Sequence, residues 1–351
     1  MYLVLTVIIT LPLGYLLYKL TTSEISDENP DEKYEWVVGF YVCGEGFDDG
    51  IVDEDISDTI GLSSDRISFQ YLVDYDGFGN TQFFSSSNYT RKQQNISFFM
   101  PYDSTELDMG SKEVLNGFTT YLTNISAEQY CLVIWGHGKG YEGVCFDGDS
   151  KLTTSEINSS LIGKGIDILV FDACEMVCAE VLYDLLGTCD LVVGTEKDLP
   201  DRGLDYSGGF TRFLRDEEHS PVPLGKNIIG ATRDYYATNP STYSLQLSMV
   251  DMDRYQDFIR MFISQNEYIY TSLPPTFESG SRFDLGLFLV DNGYSDLCSE
   301  LNRSVKQNLI LPSSEGVDVQ GVMGISILSP EVDNREDISL LDRVQMISRD
   351  N

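Results

Sequence analysis

The chain has 351 residues, 42% of them hydrophobic, which is enough to bury a large core and excludes a largely disordered protein. Its 56 acidic residues outnumber 23 basic residues and give a formal net charge of −33 at pH 7. A field of that sign repels nucleic-acid backbones, so nucleic acid is excluded as a partner, whereas cationic ligands or peptides are attracted.

The first 20 residues form a hydrophobic anchor or signal segment. Residues 1–18 are almost wholly apolar, and the first charged residue is Lys19. The run falls slightly short of the roughly 20 residues that span a bilayer, and it lacks the basic start and small-residue cleavage site of a signal peptide. An acidic tether, residues 21–33, follows. We therefore expect a protein that is anchored in the membrane by an N-terminal helix or exported, with the remaining chain on the extracytoplasmic side.

Strands and helices alternate in the region 34–216. In chain order, the hydrophobic patterns predict strands at 36–44 and 67–77, a loop at 78–98, a helix at 112–124, a strand at 130–135, a helix at 153–161, a strand at 166–172, a helix at 174–187 and a strand at 190–196. This order is typical of βαβ units, and near-continuous apolar strands indicate a sheet that is covered on both faces. We predict an α/β domain with a mostly parallel central sheet between two layers of helices.

Residues 217–351 show a less regular pattern and are predicted to form a C-terminal α/β extension. Helices are predicted around 221–237, 253–265 and 292–308, and strands near 242–251 and 322–328. The sequence contains no internal repeat, so this region is not a second copy of the first.

A histidine and a cysteine follow two of the predicted strands. His137, one of only two histidines, lies between glycines in WGHGKG after the strand 130–135. Cys174 lies in VFDACEM after the strand 166–172, 37 positions further on. Because parallel strands end at one edge of a sheet, where α/β proteins bind their ligands, we expect both residues at that edge. A Cys–His pair requires this arrangement.

The chemistry of a nucleophilic thiol fits these positions. Cys174 is predicted to begin a helix, and the partial positive charge of a helix N-terminus stabilises a thiolate. A nearby imidazole takes the thiol proton. The backbone N–H groups of Gly138 and Cys174 are natural donors to a developing oxyanion. Cys178, one turn further along that helix, is expected to pack in the core.

Other interpretations of these residues stay open. The histidine and cysteine are also compatible with purely structural roles, in an acidic surface protein that binds cations. A zinc site is not supported, because two distant histidines have no partners at ligand spacing. The acidic stretch 147–156 has the composition to attract calcium but lacks the glycine and terminal glutamate of an EF-hand loop. We therefore predict no metal ligands and no cofactor.

The two motifs together resemble those of the clostripain-like cysteine peptidases, peptidase family C11 of the caspase-like clan CD. WGHGKG followed by LVFDACEM carries the resemblance, which extends over roughly residues 34–330 and includes WVVGFYVCG and VVGTEKDLPDRGLDY. It implies a caspase-like α/β/α sandwich, with 34–216 as the catalytic domain and 217–351 completing the family fold. It also implies hydrolysis of peptide bonds, with Cys174 as the nucleophile and His137 as the base and acid.

The resemblance further implies a pocket, S1, for a basic residue before the scissile bond. Asp172, two residues before Cys174, matches a pocket carboxylate, and Asp201 or Asp205 in the following loop is expected to contribute. Arg202 departs from the family pattern, since a pocket acid is expected there, and its positive charge would be able to neutralise Asp172.

Some members of this family are processed between the histidine and the cysteine. Lys151 lies in that interval, in a predicted polar turn, so self-cleavage after Lys151 is a further hypothesis. Taken together, the sequence predicts a cysteine endopeptidase that acts on peptide or protein substrates and contacts the membrane through its N-terminal segment. The alternative functions are a caspase-like binding module that has lost turnover and the cation-binding surface protein.

Overall fold

The structure is a computed structural model that describes residues 33–87, 90–95, 106–240, 244–265, 282–311 and 324–328. The predicted N-terminal anchor and all but the last residue of the tether lie outside the described residues. In the ranges given above, no helix has the length and apolar character needed to cross a membrane.

The secondary structure follows the predicted alternation of strands and helices. The strands are β1 (Tyr34–Cys43), β2 (Ile67–Asp74), β3 (Gln82–Ser87), β4 (Thr90–Gln93), β5 (Ala127–Trp135), β6 (Val144–Asp147), β7 (Ser150–Leu152), β8 (Ile166–Asp172), β9 (Cys189–Gly194), β10 (Leu245–Asp251), β11 (Arg282–Asp284), β12 (Val305–Leu311) and β13 (Ser326–Leu328). The helices are α1 (Asp49–Ile60), α2 (Lys112–Asn124), α3 (Thr154–Leu161), α4 (Ala179–Asp184), α5 (Tyr206–Phe213), α6 (Pro221–Thr238), α7 (Met252–Ser264), α8 (Leu285–Asp291) and α9 (Ser295–Ser304).

A nine-stranded sheet forms the centre of the described structure, in the order β12-β10-β9-β8-β5-β1-β2-β3-β4. The five strands from β9 to β2 in that order pair in parallel. The strands at both edges pair antiparallel, with β10 and β12 on one side and β3 and β4 on the other. Because β10 and β12 come from the region 217–351, that region extends the same sheet.

Helices cover both faces of the sheet, which confirms the predicted α/β/α sandwich. One buried cluster packs α2, α3, α4, α7, α8 and α9 against the sheet, and the other packs α1, α5 and α6 against the opposite face. Successive side chains of a strand point to opposite faces, and in β1 Val37 belongs to the first cluster and Val38 to the second. Each fully buried side chain of this kind contributes roughly 1.5–3 kcal/mol to folding through removal from water.

Three predictions about elements are wrong. Residues 78–98, predicted as a loop, contain β3 and β4, because Phe83 and Phe84 are buried on opposite faces of the sheet within a Ser-rich sequence. The predicted helix 292–308 ends at Ser304, and the chain continues as strand β12. The predicted helix 174–187 is reduced to α4.

Candidate active site

His137 and Cys174 lie at the same edge of the sheet, as predicted. His137 follows β5 and Cys174 follows β8, and these neighbouring strands are paired in parallel with Trp135 opposite Asp172. The N–H of Gly136 donates to the carbonyl of Asp172 (3.2 Å), so the pairing continues up to the histidine. Both side chains line one pocket. The other residues that line it are Phe47, Trp135, Gly136, Asp172, Ala173, Leu199, Pro200, Asp201 and Gly203.

Cys174 lies in a turn, and not at the start of a helix. The next residue, Glu175, adopts a left-handed conformation with φ of 64°, which a helix does not allow. Helix α4 begins only at Ala179, with Cys178 as its N-cap, so a helix dipole does not act on the Cys174 thiol. The prediction that a helix N-terminus stabilises this thiolate is therefore wrong. Cys178 is fully buried, which confirms that it packs in the core.

The surroundings of Cys174 favour the neutral thiol in the free protein. The side chain is half-buried, and burial raises the pKa of the Cys174 thiol. The N–H of Leu199, 3.3 Å from Sγ, acts in the opposite direction as a hydrogen-bond donor. The carboxylates of Asp198 and Glu175 raise the pKa further, so a proton acceptor is needed to generate the thiolate.

His137 is held against an aromatic ring and has the properties of a neutral base. Its imidazole stacks on Phe47, with ring centroids 4.1 Å apart and planes inclined by 21°. Partial burial lowers the pKa of His137, and Lys139 lowers it further, whereas Asp201 raises it. The imidazole is therefore largely unprotonated near neutral pH and is able to accept a proton.

Gly138 lies directly against the backbone of Cys174. A Cβ atom at this position would collide with the carbonyl oxygen of Cys174, so the two segments approach this closely only because residue 138 is glycine. The residues on either side of Gly138 are hydrogen-bonded to the β6 segment. The N–H of Cys145 donates to the carbonyl of His137, and the N–H of Lys139 donates to the carbonyl of Gly143. In such a pair the N–H of the central residue points away from the partner strand. The Gly138 N–H thus points away from β6.

Asp172 is a buried carboxyl group in the wall of the pocket. Only 3% of the residue is exposed, and burial raises its pKa to about 7, although the hydrogen bond from Leu204 N–H (3.2 Å) acts in the opposite direction. Gly203 packs against the carboxyl group so closely that a side chain there would displace it. A cation placed beside Asp172 would favour its ionised form.

Arg202 pairs with residues of α1 and not with Asp172, whose charge the sequence would allow it to neutralise. Its guanidinium forms an ion pair with the buried Asp55 of α1, lies 3.6 Å from Glu54, and stacks over the ring of Tyr235. Asp55 also accepts a hydrogen bond from the indole N–H of Trp135 (3.1 Å). The loop 199–205 and the end of β5 are therefore joined through one carboxylate.

The remaining predicted site residues lie in different surroundings. Asp201 lines the pocket and is close enough to influence His137. Asp205 caps helix α5 by accepting a hydrogen bond from Gly208 N–H (2.8 Å), so its side chain is already engaged in the fold. Lys151 is exposed on strand β7, and not in a turn, and its ammonium group lies over the ring of Phe146.

Sequence reasoning did not find Phe47 or Asp55. Neither residue belongs to a motif, and each contacts the site from a segment about 80 residues or more before it in sequence. Within the described part of the chain, no group of three or more His, Cys, Asp or Glu side chains is arranged to hold a metal ion.

A sequence profile described as the Clostripain family matches residues 40–275, which is more than half of the chain. The chain belongs to the clostripain family. Clostripain from Hathewaya histolytica is 36% identical over 98 aligned residues, which cover 22% of this chain and 18% of clostripain. The chain thus aligns with less than a fifth of the length of this curated relative.

Two solved structures of C11 proteases share the fold of this clostripain-family chain. A secreted C11 cysteine protease from Bacteroides thetaiotaomicron, in complex with an irreversible peptide inhibitor, superposes with a TM-score of 0.67 at 17% identity and covers 88% of this chain and 96% of its own. An inactive zymogen C11 protease from Parabacteroides distasonis superposes with a TM-score of 0.66 at 16% identity, covering 91% and 96%. These similarities establish the caspase-like fold.

Proposed function

We propose that this clostripain-family chain is a cysteine endopeptidase that uses Cys174 and His137 as a catalytic dyad. The imidazole of His137 takes the thiol proton as Sγ attacks the carbonyl carbon of the scissile bond, and it then donates that proton to the leaving amine. Water hydrolyses the resulting thioester, again with His137 as the base. The observation that carries the proposal is the shared pocket, which presents a half-buried thiol and a neutral imidazole at the ends of adjacent parallel strands.

The N–H groups of Gly138 and Cys174 would stabilise the negative charge of the tetrahedral intermediate. The close contact of Gly138 with the Cys174 backbone supports this role, since it brings the two backbone segments that carry these amides together. The direction of the Gly138 N–H, away from β6, is also consistent with it. Donors of this kind act where charge develops in the transition state.

Asp172, with Asp201 at the mouth of the pocket, would select lysine or arginine before the scissile bond. Asp172 is buried in the pocket wall and forms no ion pair with any of the residues that the structure describes, and a bound ammonium or guanidinium group would provide one. The ion pair between Arg202 and Asp55 supports this specificity, because an arginine that is paired with Asp55 does not neutralise the carboxylates of the pocket. Asp205 is left out of the proposed pocket, since it serves as a helix cap.

Self-processing after Lys151 is proposed as a slower reaction of the same site. The exposed, basic side chain fits the proposed specificity, but Leu152 beside it is fully buried. The β6–β7 hairpin would therefore have to open locally before cleavage. Purified wild type and Cys174→Ala protein, compared on a denaturing gel after incubation, test this step, and a wild-type chain that stays intact while active contradicts it.

The proposed substrates are peptides and proteins encountered outside the cytoplasm. One structural relative is a secreted protease, which supports export of this chain. The apolar segment 1–18 supports an N-terminal anchor or a signal for that route.

Cleavage of a peptide library that varies only the residue before the scissile bond tests the proposed function. We expect cleavage after Lys and Arg by the wild type, and none by Cys174→Ala or His137→Ala. Equal cleavage by wild type and Cys174→Ala would contradict the dyad. Binding of the same peptides without turnover by the wild type would instead support a binding module.

A further inference from the structure

The imidazole of His137 packs on an aromatic ring, and proton transfer between His137 and Cys174 does not by itself require this contact. Phe47 stacks on it at 4.1 Å and simultaneously packs on Trp135, with ring centroids 4.4 Å apart. We infer that Phe47 is a positioning residue that fixes the orientation of the His137 ring for proton transfer. This inference rests on the proposed function of His137 as the base.

A hydrogen-bonded turn between β1 and α1 holds Phe47 in place. The N–H of Phe47 donates to the carbonyl of Gly44 (2.9 Å), and the N–H of Gly44 donates to the carbonyl of Asp74 (2.7 Å). The N–H of Gly46 donates to the side chain of Asp76 (2.9 Å). The turn is thus tied to the end of β2 at two points, so the ring of Phe47 is presented by a fixed backbone.

Gly46 shows how closely this turn fits the imidazole. Its φ of 79° lies in the left-handed region, and a Cβ atom at this position would lie 3.1 Å from Nε2 of His137. The edge of the ring that carries Nε2 therefore faces the turn, while the face of the ring rests on Phe47. The turn thus packs on one face of the imidazole through Phe47 and approaches its Nε2 edge at Gly46, where a side chain would crowd the ring.

Stacking on Phe47 orients His137, a task that a third polar residue performs in other enzymes with a nucleophile and a base. There, a hydrogen-bonded group orients the base, but within the described residues the His137 ring has no side-chain hydrogen bond of this kind. A stacked ring restrains the imidazole through its face and leaves Nδ1, which is not on the edge beside the turn, available for proton transfer. The negative face of the phenyl ring also favours the imidazolium that forms when the thiol proton is taken up.

The experiment compares wild type, Phe47→Leu and the aromatic control Phe47→Tyr. We expect Phe47→Leu to lower kcat about tenfold or more with little change in KM, because a misplaced base slows chemistry without weakening substrate binding. Phe47→Tyr should retain most of kcat. In a Cys174→Ala background, NMR titration should give a lower pKa for His137 in Phe47→Leu than with Phe47 or Tyr, because the aromatic face that favours the imidazolium is gone.

The outcomes separate this inference from the proposed function. Activity that survives Cys174→Ala would overturn the dyad whatever Phe47 does. If the dyad holds, wild-type kcat and an unchanged His137 pKa in Phe47→Leu would overturn the inference. A raised KM with unchanged kcat would also overturn it, since Phe47 would then contact substrate. Thermal unfolding checks each variant, and Phe47→Met replaces Phe47→Leu if the latter does not fold.

Discussion

Asp172 is the residue whose ionisation should most strongly affect substrate choice. In the free protein, burial raises its pKa to about 7, so a large fraction of the carboxyl groups is protonated at neutral pH. A basic substrate side chain favours the ionised form and binds it better. The affinity for basic substrates should therefore increase as pH rises through about 7, because Asp172 is then already ionised before the substrate binds.

Replacement of Asp172 by Asn tests this role. We expect kcat/KM for a lysyl peptide to fall about 100-fold, roughly 3 kcal/mol, because a buried charge-assisted contact is lost. A norleucine peptide, which keeps the four-carbon side chain of lysine without its ammonium group, is the matched control and should change little. Steady-state kinetics between pH 6 and 8 make the comparison, and equal losses for both peptides would argue against a charge-selective pocket.

A second prediction concerns the protonation state of the proposed dyad before substrate binds. The pKa of His137 is lowered and that of Cys174 is raised, both chiefly by burial, so the pair should rest as thiol and neutral imidazole. NMR titration should show His137 losing its proton below the ordinary histidine value of about 6.5. The two histidines are assigned with a His219→Gln variant. An imidazole that stays protonated well above pH 7 would indicate a thiolate–imidazolium pair instead.

Among single residues, the sequence predicts the members of the proposed dyad and pocket better than the residues that support them. His137 and Cys174 follow strands that are easy to recognise, and Asp172 ends one of them, so their common location could be predicted. Phe47 and Asp55 reach the site through tertiary contacts with distant segments, which one sequence does not reveal.

Among the elements, helix α1 and the pocket loop 199–205 are linked by an ion pair. Asp55 of α1 is 5% exposed and contacts both Arg202 and the indole of Trp135. Removal of one partner from a buried pair leaves the other charge uncompensated. The link should therefore matter both for stability and for the position of the loop.

Asp55→Ala should lower the free energy of unfolding by about 3 kcal/mol, the range found for breaking buried ion pairs. The control is Asp234→Ala, which removes an exposed partner of Arg212 and should have a much smaller effect. Chemical denaturation followed by circular dichroism measures both variants. Equal destabilisation by the two substitutions would contradict a special role of the Asp55 link.

The boundaries of elements near the site were the least predictable part of the fold. The sequence 174–187 has apolar residues at helical spacing, yet the chain turns sharply at Cys174 and Glu175 and becomes helical only at Ala179. The strand β3 was missed because its Ser-rich composition is typical of a loop, although its two phenylalanines are buried on opposite faces of the sheet as in any strand. Tertiary packing decides both cases, since local propensity favours another structure.

For the molecule as a whole, the parallel strands could be predicted reliably because they are continuous and apolar.

The whole chain carries a formal net charge of −33, which should attract cationic substrates over long range. We expect kcat/KM for a lysyl peptide to fall as salt rises from about 0.01 to 1 M, where the screening length shrinks from about 30 to 3 Å. The norleucine peptide should respond much less, and identical salt responses would contradict electrostatic attraction of the substrate.

The most direct test of the account is the rate at which a neutral thiol reagent modifies each of the seven cysteines at pH 7, followed by mass spectrometry. Cys174 is partly exposed and the other six are buried, so exposure alone predicts that it reacts first. The dyad predicts more, namely that His137→Ala slows modification of Cys174 and leaves the other cysteines unchanged. Modification of Cys174 at the same rate with and without the imidazole would contradict the central claim that His137 takes the proton of this thiol.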